Sequence, residues 1–301
     1  MIMDVSPSNL PVDVSEGASF PQEAYTITRP LRQMAPIVVA SPHSGTDYTP
    51  AFLALSRLDA QTLRKSEDSF VDELCATAPA MGIPLIAARF PRAYCDVNRE
   101  AWELDPAMFE DALPGYVNIA SPRVAAGLGT IARVVASGEP IYRRKLCFAE
   151  ATSRIARCWQ PYHAALSGLM AETRVAFGAC LLLDVHSMPT PFGATHGHGP
   201  DVVLGDAHGA ACARPVVQLV EQSLRAEGLV VRRNDPYAGG YVTRHYGRPR
   251  ERMHVLQIEI AKPLYMDERA ITRSAGFATL RASLGRAIRV VAENLANQIV
   301  L

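Results

Sequence analysis

Two histidines stand at the ends of apolar runs. His43 follows Ile37-Val38-Val39-Ala40 and the loop residues Ser41 and Pro42, and His186 closes the run Ala179-Cys180-Leu181-Leu182-Leu183 together with Asp184 and Ser187. A carboxylate, Glu259, lies inside a third apolar stretch, His254-Val255-Leu256-Gln257-Ile258-Glu259-Ile260. Burying an acid there is costly unless the group is paired or used. Two imidazoles and one carboxylate form the donor set of a catalytic zinc that keeps a position open for water. His43, His186 and either Asp68 or Glu67 can supply that set, with Glu259 taking a proton from the water. Arg89, Arg92, Asn98 and Arg99 follow another apolar run, Leu85-Ile86-Ala87-Ala88. Guanidinium forks so close to a strand end suit a carboxylate substrate, although a solvated, salt-bridged loop has the same composition.

These residues need elements to hold them. The short apolar runs at 37–40, 85–88, 179–189, 202–206, 230–234 and 254–260 predict strands, and the continuous ones are of the kind buried on both faces. Between them the periodicity is helical: Phe52, Leu55 and Leu58, then Phe70, Val71, Leu74 and Cys75; Ile155, Trp159, Tyr162, Leu166 and Leu169 within 143–176; Val216, Leu219, Val220 and Leu224; and Leu280, Leu284, Ile288, Val291 and Leu295 in a helix over 271–301. His163 belongs to one of these helices and is expected to be structural. Ser66 is the predicted N-cap of the helix carrying Phe70. Glu67 and Asp68 then fall in its first turn, where the helix dipole favours acids whether or not they bind a metal. Residues 101–140 are rich in Gly and Pro and predict a long loop over the site. Glycines also mark loops at Thr195-His196-Gly197-His198-Gly199 and Gly239-Gly240-Tyr241. Strands alternating with helices predict an α/β fold, a sandwich around a mixed, mostly parallel central sheet, with the site at the strand ends. Residues 1–34 read as an extended arm and 35–301 as a single domain.

Composition narrows the function. Apolar residues make up 49% of the chain, and Lys+Arg and Asp+Glu number 30 each, so neither disorder nor a nucleic-acid partner is expected. The cysteines at 75, 95, 147, 158, 180 and 212 form no CxxC pair and suggest a reducing, cytoplasmic setting. The first twenty residues lack the basic start and apolar run of a secretory signal, and no segment has the length of a membrane helix.

The segments SPHSG (41–45), SEDSFVDEL (66–74), FPRAYCDVNRE (90–100), LLLDVHSMP (181–189), GGYVTRHYG (239–247) and QIEIAKPLYMDE (257–268) resemble those of the N-formylglutamate amidohydrolase family. The resemblance extends to GTIARV (129–134) and IYRRKL (141–146). It implies a three-layer core of the zinc-carboxypeptidase and phosphorylase/hydrolase kind, one zinc ion, and hydrolysis of N-formyl-L-glutamate to formate and L-glutamate in histidine breakdown. Carried onto this chain, it implies His43 and His186 as metal ligands, Glu259 as general base and the Asn98-Arg99 pair as a carboxylate clamp. Arg92, Tyr241 and Arg244, in matching segments, are expected to contact substrate. The carboxypeptidase pattern has a ligating Glu three residues after the first His, where this chain has Thr46. The carboxylate ligand must therefore come from elsewhere; Asp68 is preferred and Glu67 is the alternative. Two other readings stand at this level: a zinc deacylase for another N-acyl amino acid, or a non-catalytic metal- or ligand-binding descendant.

Overall fold

The computed structural model describes residues 23–189 and 199–297. His196, His198 and the first 22 residues of the expected arm lie outside that description. Seven strands, β1 Tyr25–Thr28, β2 Ile37–Ser41, β3 Leu85–Ala88, β4 Cys180–Met188, β5 Val202–Gly205, β6 Val231–Arg233 and β7 Met253–Ala261, form one sheet in the order β1-β3-β2-β4-β7-β5-β6. Its centre, β3-β2-β4-β7, is parallel. β1 joins β3 and β5 joins β7 antiparallel, and β6 runs parallel to β5. The mixed, mostly parallel sheet follows the expectation.

Helices cover both faces. The short helices α1 Pro50–Leu55, α2 Ala60–Arg64 and α3 Val71–Leu74 precede β3. Then come α4 Pro122–Ala125, α5 Phe148–Arg154, α6 Gln160–Phe177, α7 Arg214–Ala226, α8 Tyr241–Tyr246 and α9 Phe277–Asn297. On one face Leu181, Leu183, Leu256, Ile258 and Ile260 share a buried core with α3, α7 and α9. On the other, Val38, Leu182 and Val255 share one with α6 and with Val242 of α8. A third core lies beneath the excursion, where Phe52, Leu63, Leu104, Ile131, Ile141 and Leu146 pack together. Residues 101–140 thus have their own apolar anchor, with little regular structure beyond α4 and a turn at Pro106–Met108.

Several local expectations fail for identifiable reasons. Ser66 caps no helix, because its hydroxyl accepts from the Ala136 amide. The next helix starts at Val71 after Phe70 adopts a left-handed conformation with φ 66°, so its first-turn acids are Asp72 and Glu73. Glu67 and Asp68 therefore precede it. The stretch expected as a loop at Tyr241 is instead the start of α8, with Gly240 in extended conformation before it. The carboxyl-terminal helix begins at Phe277 rather than Ile271, since Thr272–Arg273 pairs with Met266–Asp267 in a small ribbon.

Candidate functional site

The polar residues of β4 and β7 form a grid on one face of the sheet. Side chains alternate along a strand, so Leu182, Asp184 and His186 share a face, as do Val255, Gln257 and Glu259. Pairing sets Asp184 beside Gln257 and His186 beside Glu259. Toward the strand ends this face changes from apolar to polar, while Val185, Ile258 and Ile260 on the opposite face remain in the core. The apparently continuous apolar run of β4 thus conceals a two-residue alternation.

His43 arrives from the loop after β2, and Asp68 is tied to that loop by its amide bond to the His43 carbonyl, 3.0 Å. Nδ1 of His186 lies 3.1 Å from Nδ1 of His43 and 3.0 Å from Asp68 Oδ2, and His43 Nδ1 lies 3.3 Å from the same oxygen. All three residues are buried. The opposite ring nitrogens meet carboxylates: His43 Nε2 is 2.8 Å from Asp96 Oδ1, and His186 Nε2 is 3.0 Å from Asp184 Oδ2. A carboxylate partner holds the proton on Nε2 and leaves the Nδ1 lone pair for a cation. Two imidazoles turned inward on one carboxylate oxygen could hold a metal ion.

Electrostatics favour positive charge here. Burial opposes ionisation of Asp68, but its bonds to His186 and His43 and the nearby Arg92 charge prevail and hold the carboxyl well below the usual range. Asp96 is held low against burial by Arg99, His43 and Arg92. Burial works against a charged His186 imidazole, yet Asp184, Asp68 and Glu259 raise it well above its ordinary value. Glu259 behaves differently. Burial, reinforced by Asp68 and Asp184 and opposed by His186 and Arg92, pushes it up to about 7, the range suited to a general base at neutral pH.

Glu67 takes no part in the cluster. Its carboxylate accepts from Arg64 Nε at 3.0 and 3.1 Å and from Ser69 Oγ at 2.7 Å, and its carbonyl accepts from Lys262 Nζ at 2.7 Å. Asp68 instead accepts from Ser187 Oγ at 3.0 Å, which gives Ser187 a bond into the site.

A cavity of about 510 Å³ opens over the cluster, and Arg92, Asn98, Arg99, Arg244 and Glu259 line it. Asn98 also braces the wall: its Oδ1 accepts from the Val242 amide (2.9 Å) and its Nδ2 donates to Gln257 (3.3 Å) and lies 3.2 Å from His186 Nε2. Arg99 spends Nε and Nη1 on the carbonyls of Leu128 and Asn98, both at 2.8 Å. Tyr241 is not among the lining residues. Its ring stacks on His245 (4.8 Å) and meets His163 edge-on (5.5 Å). His163 is spent on the scaffold, with its nitrogens 2.9 Å from Tyr246 Oη and from the Val97 carbonyl. Burial lowers it to about 4, so it is neutral at pH 7.

Sequence reading assigned no role to Asp96, Gln257 or Arg123. Asp96 accepts from Arg92 Nη2 and the Asn98 amide as well as meeting His43, each at 2.8 Å. An acid between two arginines was its visible signal. Gln257 donates to Glu259 Oε1 at 2.7 Å and is found by counting two residues back along the same strand face. Arg123 lies in the irregular excursion, where no periodicity marks it.

Comparison with known proteins identifies relatives of the whole domain. The family model for N-formylglutamate amidohydrolase matches residues 35–266. The N-formylglutamate deformylase of Pseudomonas aeruginosa is 32% identical over 271 residues, spanning 88% of this chain and 92% of that protein. The Pseudomonas putida enzyme of the same name is 29% identical over 238 residues, spanning 77% and 82%. The crystal structure of N-formylglutamate amidohydrolase from Ralstonia eutropha JMP134 superposes with a TM-score of 0.84 at 39% identity, covering 90% of this chain and 98% of that one. With a shared fold, a matched core and a polar cluster at its strand ends, the chain belongs to the N-formylglutamate amidohydrolase family.

Proposed function

We propose that this chain hydrolyses the formyl amide of N-formyl-L-glutamate, using zinc held by His43, Asp68 and His186, and releases formate and L-glutamate. The observation that carries the reading is the convergence of those three donors beside Glu259, in a chain of this family. Zinc bound there supplies Lewis acidity and makes water a stronger acid at neutral pH.

The protein's own groups do the rest. Glu259 accepts a proton from water as its oxygen adds to the formyl carbon, then donates it to the departing amine nitrogen as the C–N bond breaks. Arg92, whose charge reaches both Asp68 and Glu259, is the assigned partner of the developing oxyanion. Asp96 and Asp184 keep the two imidazoles oriented. Arg99 and Asn98 hold the wall against which the substrate lies, and Arg244 contributes positive charge for its carboxylates. The six cysteines are all unpaired and no described helix is long and apolar enough to cross a membrane; the former supports action in the cytoplasm, at the last step of one route of histidine breakdown.

Formate release from N-formyl-L-glutamate, measured with metal content on the same preparation, tests the reading. Activity is expected to disappear on chelation, to return with zinc, and to be much lower on N-formyl-L-aspartate and N-acetyl-L-glutamate. A zinc-loaded protein releasing no formate overturns it.

A further inference from the structure

Four guanidiniums line the cavity, and only some are neutralised. Arg92 is bonded to Asp96, and Arg99 is shared between two carbonyls and the same carboxylate, 3.7 Å from its Nη2. Arg123 of α4 and Arg244 of α8 make no side-chain hydrogen bond or ion pair among the described residues. Arg123 also lies close enough to Arg99 for the two charges to repel. The cavity's own acids, Asp68, Asp96 and Glu259, are engaged with His186, Arg92 and Gln257, so two guanidiniums outside any ion pair favour an anionic ligand.

The two elements differ in how they connect to the reacting centre. The start of α8 is bonded to it directly: Gly240 N donates to Gln257 Oε1 (2.8 Å), Gln257 holds Glu259, and Val242 N donates to Asn98. Arg244 stands one turn further along that helix. Arg123 comes from the excursion, which is joined to the cavity's polar residues through the bond from Arg99 Nε to the Leu128 carbonyl (2.8 Å) rather than through Gln257 or Glu259. In an N-formyl amino acid the α-carboxylate lies nearer the formyl nitrogen than the side-chain carboxylate does.

We propose that Arg123 recognises the side-chain carboxylate of the substrate and Arg244 its α-carboxylate, so that the pair makes the site selective for a dianionic N-formyl amino acid. This division rests on the deformylase reading above. Arg123 is partly exposed and Arg244 exposed, so neither substitution strips a buried partner of its charge.

The test compares kcat/KM for N-formyl-L-glutamate, its γ-amide N-formyl-L-glutamine and its α-amide N-formyl-L-isoglutamine. Losing a charge-assisted bond predicts that Arg123→Gln lowers the value for N-formyl-L-glutamate by about 10- to 100-fold and leaves that for N-formyl-L-glutamine within about twofold. Arg244→Gln should erase discrimination against N-formyl-L-isoglutamine in the same way, and Arg123→Lys should recover part of the loss. Equal losses on the glutamate and glutamine substrates, or no loss on either, overturn the assignment while the deformylase reading stands. A zinc-loaded wild-type protein inert on all three overturns that reading and the assignment with it.

Discussion

Replacing Glu259 by Gln separates what this carboxylate does for the reaction from what it costs the fold. Glutamine at this position can keep the bond to Gln257 by offering its amide oxygen, and the bonds joining His43, Asp68 and His186 do not involve residue 259. Metal content should therefore stay the same. A general acid–base group contributes about 10²- to 10⁴-fold, and turnover should fall by that factor. The stability effect has the opposite sign. Folding takes Glu259 from an ordinary 4.5 up to about 7, so within that window the native state keeps a proton that the unfolded chain has released. Stability therefore falls as pH rises through the window, and above it the ionised carboxylate costs about 3 kcal/mol. In the metal-free protein, Glu259→Gln should be more stable than wild type by that order at about pH 8, with the gap closing near about pH 4. Urea unfolding at both pH values measures this. In the metal-loaded enzyme a cation lowers the ionisation point of Glu259, so the acid limb of formate release should lie no higher than about 7 and vanish in the variant. Turnover within about tenfold of wild type, or no gain in stability at the higher pH, refutes the reasoning.

Four further substitutions probe the surrounding bonds. Asp68→Ala should weaken metal binding by more than the about 10- to 100-fold typical of losing a ligand's hydrogen-bond partner; Glu67→Ala should leave it unchanged and cost about 1–3 kcal/mol of stability, since Arg64 and Ser69 lose their acceptor. Metal titration and urea unfolding distinguish the two. Asp96→Asn removes the charge shared by His43, Arg92 and Arg99, and a loss of about 3–5 kcal/mol is expected in denaturant. Because the Asp96 carboxyl is held low, its contribution is present above the ordinary carboxylate pKa and fades as pH falls toward the folded value, so the gap between wild type and variant should narrow in acid. Gly240→Ala places a Cβ onto the Asn98 carboxamide, costing about 1–3 kcal/mol or shifting α8; kcat/KM should fall while metal content is unchanged.

Much of the scaffold is legible in the sequence because its cause is local. Short apolar runs such as Ile37–Ala40 and Leu85–Ala88 suit two-sided burial, and both form strands. Helical spacing likewise marks α6, α7 and α9. The segment around Ser66 is harder, since a capping signal there competes with the Ala136 amide, seventy residues away in sequence, for the same hydroxyl. Tyr241 follows two glycines that suggest a flexible loop, but aromatic contacts with His163 and His245 keep it in a helix.

By itself the sequence determined that two histidines follow apolar runs, that a carboxylate sits within a strand, and that strands and helices alternate, because each depends on periodicity and the cost of burying charge. Tertiary structure alone decided the partners. The parallel register of β4 and β7 sets His186 beside Glu259. The left-handed turn at Phe70 and the amide bond to the His43 carbonyl place Asp68 with the histidines, while its neighbour Glu67 pairs with Arg64. The excursion carries Arg123 to the cavity wall. Adjacent acids have nearly the same local preference, and contacts between distant segments determine which one faces the site.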